Sequence, residues 1–329
     1  MNSAPASSLS RRRDARLISF GYFGAFVALG LVAASLGPTL NGLAAQTGVA
    51  ISQISLLITA RALGYFAGSL FCGRLYDRLP GHPLMAGMLL LMAVCIALVP
   101  AQTIFWLLVG LLWVVGIAEA VVDVGGNAMI GWVHGAQVGP YMNALHFFFG
   151  AGALISPLIV GLVLRYTGGI SWSYWLLAAL IVPSALWTLW MASPVIPSQH
   201  SVDATGVIQP VAHNRGLVLL AVIFMLFYVG AEVSFGSWIS TYAVTMRLAT
   251  QETAAYLTSV FWGALTVGRL LSIPVAVRLR PRAILLMDVL GCIVSVGLIL
   301  LLPQSVAALW VGAAGLGLFM ASIFPTVLS

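Results

Sequence analysis

The chain has 329 residues, 61% of them hydrophobic and only 7% charged, with a mean hydropathy of +1.07. Soluble globular proteins carry about 25% charged residues, so this composition excludes a water-soluble domain and defines a polytopic membrane protein. Every one of the fourteen basic residues is an arginine. They are not gathered on one folded basic face, which excludes nucleic acid as a partner.

Residues 1–17 are polar, with Arg11, Arg12, Arg13 and Arg16 ahead of a long apolar run. That run exceeds the 7–15 residues of a signal-peptide core and lacks a clear cleavage site. It reads as an uncleaved first helix behind a cytoplasmic tail. Runs long enough to cross a ~30 Å hydrocarbon core, about 20 residues each, fall near 18–44, 51–74, 83–101, 103–132, 140–165 and 172–193. These six predict an N-terminal bundle over 18–193. Residues 194–214 are rich in Pro, Ser, His and Val and too polar to span, so they read as a cytoplasmic linker. Further runs near 217–245, 252–276, 283–302 and 305–329 predict four helices of an incomplete C-terminal bundle over 215–329. With the N-terminus inside, Arg74, Arg78, Arg215, Arg278, Arg280 and Arg282 are cytoplasmic, and only Arg165 and Arg247 lie outside, as the positive-inside rule requires. Cys72, Cys95 and Cys292 sit in apolar runs and read as small packing residues.

An offset of about 200 residues aligns the two halves. It sets YDRLPGHPLM near Asp77 over AVRLRPRAIL near Arg278, and LGPTL at Leu36 near FGSWI at Phe235. Two six-helix halves are the pattern of a secondary transporter with its site between the repeats. By that offset position 329 matches about 129, so the expectation is ten helices of a twelve-helix plan.

The stretch GIAEAVVDVGGNAMIGWV from Gly116 places Glu119 and Asp123 four residues apart on one helical face. A charge near a bilayer centre costs at least ~2.5 kcal/mol, and such residues face a bundle interior or a wet cavity. Glu119 and Asp123, with Glu232 in mid-span of the seventh run, are therefore the candidate ion-coupling residues. Arg61 lies ten residues into the second run, about 15 Å deep, and is expected to pair with Glu232 or with Glu119/Asp123. For a polar solute, Gln53, Asn127, Asn143 and His146 donate and accept, and Trp113, Trp238 and Trp262 offer flat faces. These residues, together with Arg61, form the candidate substrate set. Trp106, Trp132, Trp172 and Trp175, near span ends, read as an interfacial belt. Gly64-x-x-x-Gly68 permits close helix contact. Gly37-Pro38 and Pro325 are expected to unwind their helices, and Arg269 to snorkel or pair near the cytoplasmic face. No phosphate-binding loop, zinc spacing or nucleophile constellation is found, so the chain does not read as an enzyme and no cofactor or metal is expected.

The motifs also carry a family resemblance. GRLYDRLPG at 73–81 resembles the signature between helices two and three of the major facilitator superfamily, a gating loop with Gly73, Asp77, Arg78 and Gly81; His82 and Pro83 stand where that pattern has basic residues. VDVGGNAMI at Val122, YMNALHFFFGAGALISPL at Tyr141, YVGAEVSFGSWISTYAV at Tyr228, AYLTSVFWGALTVGRL at Ala255 and SIFPTVLS at Ser322 are similar to the fucose–proton symporter branch and its sodium-dependent glucose transporter-like relatives. The resemblance covers nearly all of the chain after residue 18. It implies an all-α polytopic membrane protein of inverted-repeat helical bundles that carries a small sugar by alternating access, coupled to a proton or sodium ion. It places the chain in the lipid bilayer of a bacterial inner membrane. In the fucose carriers the fourth helix bears an essential carboxylate before a small-small-Asn step, which Asp123-Val-Gly-Gly-Asn127 matches. They also use an acid on the first helix, where LGPTLNGL here offers only Asn41. The rival readings are a proton-coupled exporter of amphipathic compounds, which favours an apolar cavity, and a non-transporting truncated membrane protein.

Overall fold

In lipid a segment must satisfy its own backbone N–H and C=O groups, which leaves the helix as the solution for runs of this length. The computed structural model describes residues 8–194 and 215–327, and it is helical almost throughout. The expected linker, Pro194 apart, lies outside the described residues. The chain divides into two compact units after Pro194. The first holds α1 (Ser8–Ala33), α2 (Leu36–Thr47), α3 (Ile51–Ile54), α4 (Leu56–Arg78), α5 (Gly81–Leu98), α6 (Phe105–His134), α7 (Val138–Thr167) and α8 (Ser171–Trp190). The second holds α9 (Arg215–Thr245), α10 (Gln251–Arg278), α11 (Pro281–Leu301), α12 (Val306–Met320) and α13 (Ile323–Val327). Among the described residues nine stretches are long and apolar enough to cross a membrane; the longest, Phe105–Thr167, contains both α6 and α7.

Several element boundaries differ from the sequence reading, each for a local reason. The first helix starts at Ser8, ahead of the apolar run expected from 18. The break expected at Gly37-Pro38 falls instead at Ala34–Ser35, and both residues of the pair lie within α2. A proline ring clashes with the carbonyl four residues earlier, so Pro38 interrupts the helix at residue 34. The same rule acts in the second unit, where Pro325 lies in α13 and the interruption falls at Ala321–Ser322. The polar stretch HGAQVGPYMNA, where the apolar runs 103–132 and 140–165 meet, reduces to the 3-10 turn Gly135–Gln137, entered through Gly135 at φ 52°. Pro140 causes no second break, because in the first turn of α7 its missing N–H leaves no bond unmade. There the His134 and Tyr141 rings stack at 3.4 Å, and His134 Nε2 lies 2.7 Å from Ser19 Oγ of α1.

The 73–81 segment is also less of a loop than expected. Gly73, Asp77 and Arg78 belong to the last turns of α4, and Gly81 opens α5. Only Leu79 and Pro80 lie between, because the residue before a proline is driven to extended backbone; Leu79 has φ −118° and ψ 148°. His82 is fully buried. Its Nδ1 lies 3.1 Å from Met191 O and its Nε2 2.8 Å from Tyr22 Oη. A carbonyl only accepts, so Nδ1 carries the proton and Nε2 accepts from the tyrosine. A neutral ring thereby joins α1, α5 and the residue after α8.

The two units repeat one packing device. A methyl group on Gly116 of α6 would strike Arg61 O and Tyr65 N of α4. One on Gly317 of α12 would strike Phe261 O and Leu265 N of α10. These positions correspond at an offset of about 200 residues. Close backbone contact through small residues is how helices associate in lipid, where burial gives no hydrophobic advantage. In the second unit Ile239, Ala243, Ala254, Leu257, Ile299, Leu309 and Ala313 form an apolar cluster.

Candidate functional site: a charged ladder between two helices

Gly64 and Gly68 of α4 lie against the carbonyls of Trp113 and Ile117, and Gly116 of α6 returns the contact. With the two backbones this close, side chains one turn beyond must meet each other. Arg61 and Tyr65 are four residues apart on α4, and Glu119 and Asp123 are four apart on α6, so they meet as two rungs.

The first rung is a bidentate ion pair. Arg61 Nε donates to Glu119 Oε2 at 2.6 Å and Nη2 to Glu119 Oε1 at 2.9 Å. The fork geometry matches two guanidinium N–H groups to two carboxylate oxygens. Glu119 is 3% exposed. Arg61 Nη1 donates to Ala33 O at 3.1 Å. Ala33 ends α1, where carbonyls lack helical partners and the helix dipole is negative. Arg61 thus ties the broken end of α1 to α6. Of the two partners expected for Arg61, the structure supplies the Glu119 side.

The second rung is uncharged on one side. Tyr65 Oη donates a short hydrogen bond to Asp123 Oδ2. Asn127, one turn further along α6, donates from Nδ2 to Asp123 Oδ1 at 2.9 Å and to the Asp123 carbonyl at 2.9 Å. Asp123 is half-buried. The ladder of Arg61, Tyr65, Glu119, Asp123 and Asn127 therefore holds two carboxylates and one guanidinium. Its formal charge is −1 when both acids are ionised, and the guanidinium is bound to Glu119.

The remaining candidates are placed differently. Gln53 is exposed at the start of α3, where its Oε1 accepts from Ala50 N at 3.4 Å. Asn143 is exposed on α7, and His146 meets Phe26 edge-on with centroids 5.9 Å apart. Trp113 is 41% exposed. In the second unit Trp262 is buried with its ring over Gly236, and Trp238 is half-buried. Glu232 is 9% exposed. Tyr228, one turn earlier on α9, donates to Met320 O at 3.0 Å and interacts with both Glu232 and Arg269. Arg269, expected to snorkel or pair near the cytoplasmic face, interacts with Tyr228 of this cluster.

Sequence reasoning missed Tyr65 and Tyr228. Tyr65 was findable: it stands to Arg61 as Asp123 stands to Glu119, at the same four-residue step beside the Gly64-x-x-x-Gly68 contact. Tyr228 gave no such signal, because its acceptor is the Met320 carbonyl beside a helix break. Glu119 and Asp123 have no acidic counterparts in the second unit; about 200 residues later stand Met320 and Phe324.

Paired glycine-packed helices repeated at one offset, with a charged ladder inside a membrane-spanning segment, define a polytopic helical membrane protein. The chain belongs to the Major Facilitator Superfamily, whose family profile matches residues 18–329. It is 33% identical over 348 residues to "Sodium-dependent glucose transporter 1" of Danio rerio, covering 95% of this chain and 58% of that protein. To the protein of the same name in Xenopus laevis it is 32% identical over 318 residues, covering 89% of this chain and 65% of the relative. The chain thus spans less than two thirds of the length of either. Among solved structures, it is similar to a D-xylose-proton symporter with a TM-score of 0.65 at 14% identity, over 96% of this chain and 81% of that one. The inward-open xylose transporter XylE from E. coli gives a TM-score of 0.69 at 14% identity, over 92% and 79%. At that identity the likeness is one of fold.

Proposed function

We propose that this chain carries a small sugar across the membrane by alternating access, coupled to a proton or sodium ion taken up at Asp123. The observation that supports this is the charge balance of the ladder. Arg61 neutralises Glu119 through two hydrogen bonds, whereas Asp123 is held by the neutral donors Tyr65 and Asn127. An ionised carboxylate in a membrane span without its own cation is costly, and binding a small cation relieves that cost. Asp123 is the acid free to do so, and Glu119 with Arg61 is the fixed pair that positions it. Asn127, which touches Asp123, links the ion position to sugar hydroxyls, so that filling one site changes the donors offered at the other. In the first unit Asn143, His146 and Gln53 are further polar groups for the sugar; in the second, Trp238 is an apolar face and Glu232 a second acid, while Trp262, its ring buried over Gly236, serves packing.

The sugar reading draws on the names of the two relatives, at 33% and 32% identity. The N-terminus is cytoplasmic in this reading, the membrane a bacterial inner membrane, residues 194–214 the linker between the bundles, and the α4–α5 turn the inner gate.

Counterflow in proteoliposomes tests it. Vesicles loaded with unlabelled hexose should accumulate labelled hexose transiently, and a panel of pentoses and hexoses should rank by competition. Failure of every sugar, with movement of amphipathic cations instead, would replace this reading with that of an exporter. Movement of neither class would support a non-transporting protein.

A further inference from the structure

Besides Glu232, one more buried carboxylate lies outside the ladder. Asp288 interrupts the apolar run ILLMDVLGC in α11, about 10 Å along the helix from Pro281 at 1.5 Å per residue. It is 6% exposed. The face of α11 that bears it packs on α12: Gly291 lies against the Phe319 ring, and Gly312 and Gly315 against Ser295. Asp288 Oδ2 accepts a hydrogen bond from Ser322 Oγ at 2.6 Å. Ser322 sits in the interruption between α12 and α13, next to Ala321, whose carbonyl Pro325 deprives of its helical donor.

α12 and α13 carry no charged or titratable group in their sequences. On α11 itself Cys292 is one turn away, and Arg282 is exposed in the first turn. On α10, Arg269 interacts with Tyr228, Glu252 lies 3.5 Å from the Tyr256 hydroxyl at the far end of the helix, and Arg278 is exposed in its last turn. Among these described residues the recorded partner of Asp288 is a hydroxyl, not a cation. A carboxylate so placed in a membrane span is relieved by taking up a proton. A proton needs one oxygen, and the Asp288 carboxylate beside the Ser322 hydroxyl supplies it.

We propose that Asp288, with Ser322 as its hydrogen-bond partner, is a second proton-binding site, located at the α12–α13 interruption and separate from the ladder. Ionised, Asp288 accepts from Ser322 and ties α11 to the interruption. Protonated, it becomes the donor and Ser322 Oγ the acceptor, so the contact persists with its direction reversed. The proton comes from water and returns to it, so nothing else is consumed.

The test is independent of transport and so stands or falls apart from the function proposed above. Infrared difference spectra of the chain reconstituted in bilayers are recorded between alkaline and acidic buffer. The wild type should gain a protonated-carboxyl band that Asp288→Asn removes and Asp288→Glu restores. Ser322→Ala, which leaves the acid in place, should keep the band but move it to higher frequency as its hydrogen bond is lost. Wild-type and Asp288→Asn spectra that superimpose across the range, or a Ser322→Ala band that does not move, would overturn the proposal.

Discussion

Replacing Arg61 by Gln leaves Glu119 buried at 3% exposure with its counter-charge gone. Removing one partner of a buried ion pair typically destabilises by about 3–5 kcal/mol, because the other charge is left uncompensated. An upper bound comes from letting Glu119 take a proton instead. At neutral pH that costs about 1.4 kcal/mol for each unit above the ordinary glutamate value, about 3–4 kcal/mol in all. The two routes agree. At roughly 2–4 °C per kcal/mol, the melting temperature in detergent should fall by roughly 6–16 °C. Thiol labelling during a thermal ramp reads this directly, since Cys72 and Cys95 are buried in the fold. The double variant Arg61→Gln/Glu119→Gln removes both charges and keeps hydrogen-bonding side chains of similar length, so it should recover most of the loss. The deficit of the single variant should also shrink toward pH 5, where a proton can take the place of the guanidinium. If the double variant is no more stable than the single, or the single loses nothing, Arg61 and Glu119 are not the compensated pair described.

The glycine contacts predict a contrast within one helix. Gly116→Ala drives a methyl group into the α4 backbone at Arg61 and Tyr65, which cannot yield as a side chain can, and overpacking of this kind costs about 1–3 kcal/mol; Gly110→Ala, with nothing within 4 Å, should be neutral or stabilising by a few tenths to about 1 kcal/mol. Equal melting temperatures for the two would contradict the close α4–α6 approach. Tyr65→Phe removes a donor to ionised Asp123, a bond of about 1.5–3 kcal/mol when one partner is charged. The co-ion then competes with one donor fewer, so its half-saturating concentration in uptake should drop about tenfold or more. An unchanged co-ion requirement would show that the Tyr65 bond does not bear on the ion site.

How much of this was legible in the sequence depends on which physical signal each part carries. Membrane spans were, because run length against bilayer thickness is a strong constraint that needs no tertiary information. The break positions were half legible: Pro38 and Pro325 announced that their helices would be interrupted, but a proline acts on the carbonyl four residues earlier, so the interruptions appear at Ala34 and Ala321. The segment at 73–81 read as a gating loop from its motif, yet Gly73, Asp77 and Arg78 complete α4 and only Leu79 and Pro80 leave the helix. At the ladder, spacing alone put Glu119 and Asp123 on one face. What it could not show is that they serve different partners, since this depends on how α4 registers against α6 through Gly64, Gly68 and Gly116. Asp288 escaped notice because a lone acid has no periodic partner in the chain; its significance comes from a hydroxyl 34 positions away at a helix interruption.

The central claim is that Asp123 carries the ion that drives accumulation of solute. It is tested most directly by uptake of labelled sugar into proteoliposomes under an imposed proton or sodium gradient, with Asp123→Asn beside the wild type. The substitution keeps the side chain's shape and its ability to accept from Tyr65, and removes the charge. Concentrative uptake should fall to simple equilibration while counterflow exchange persists. Gradient-driven accumulation by Asp123→Asn at the wild-type level would contradict it.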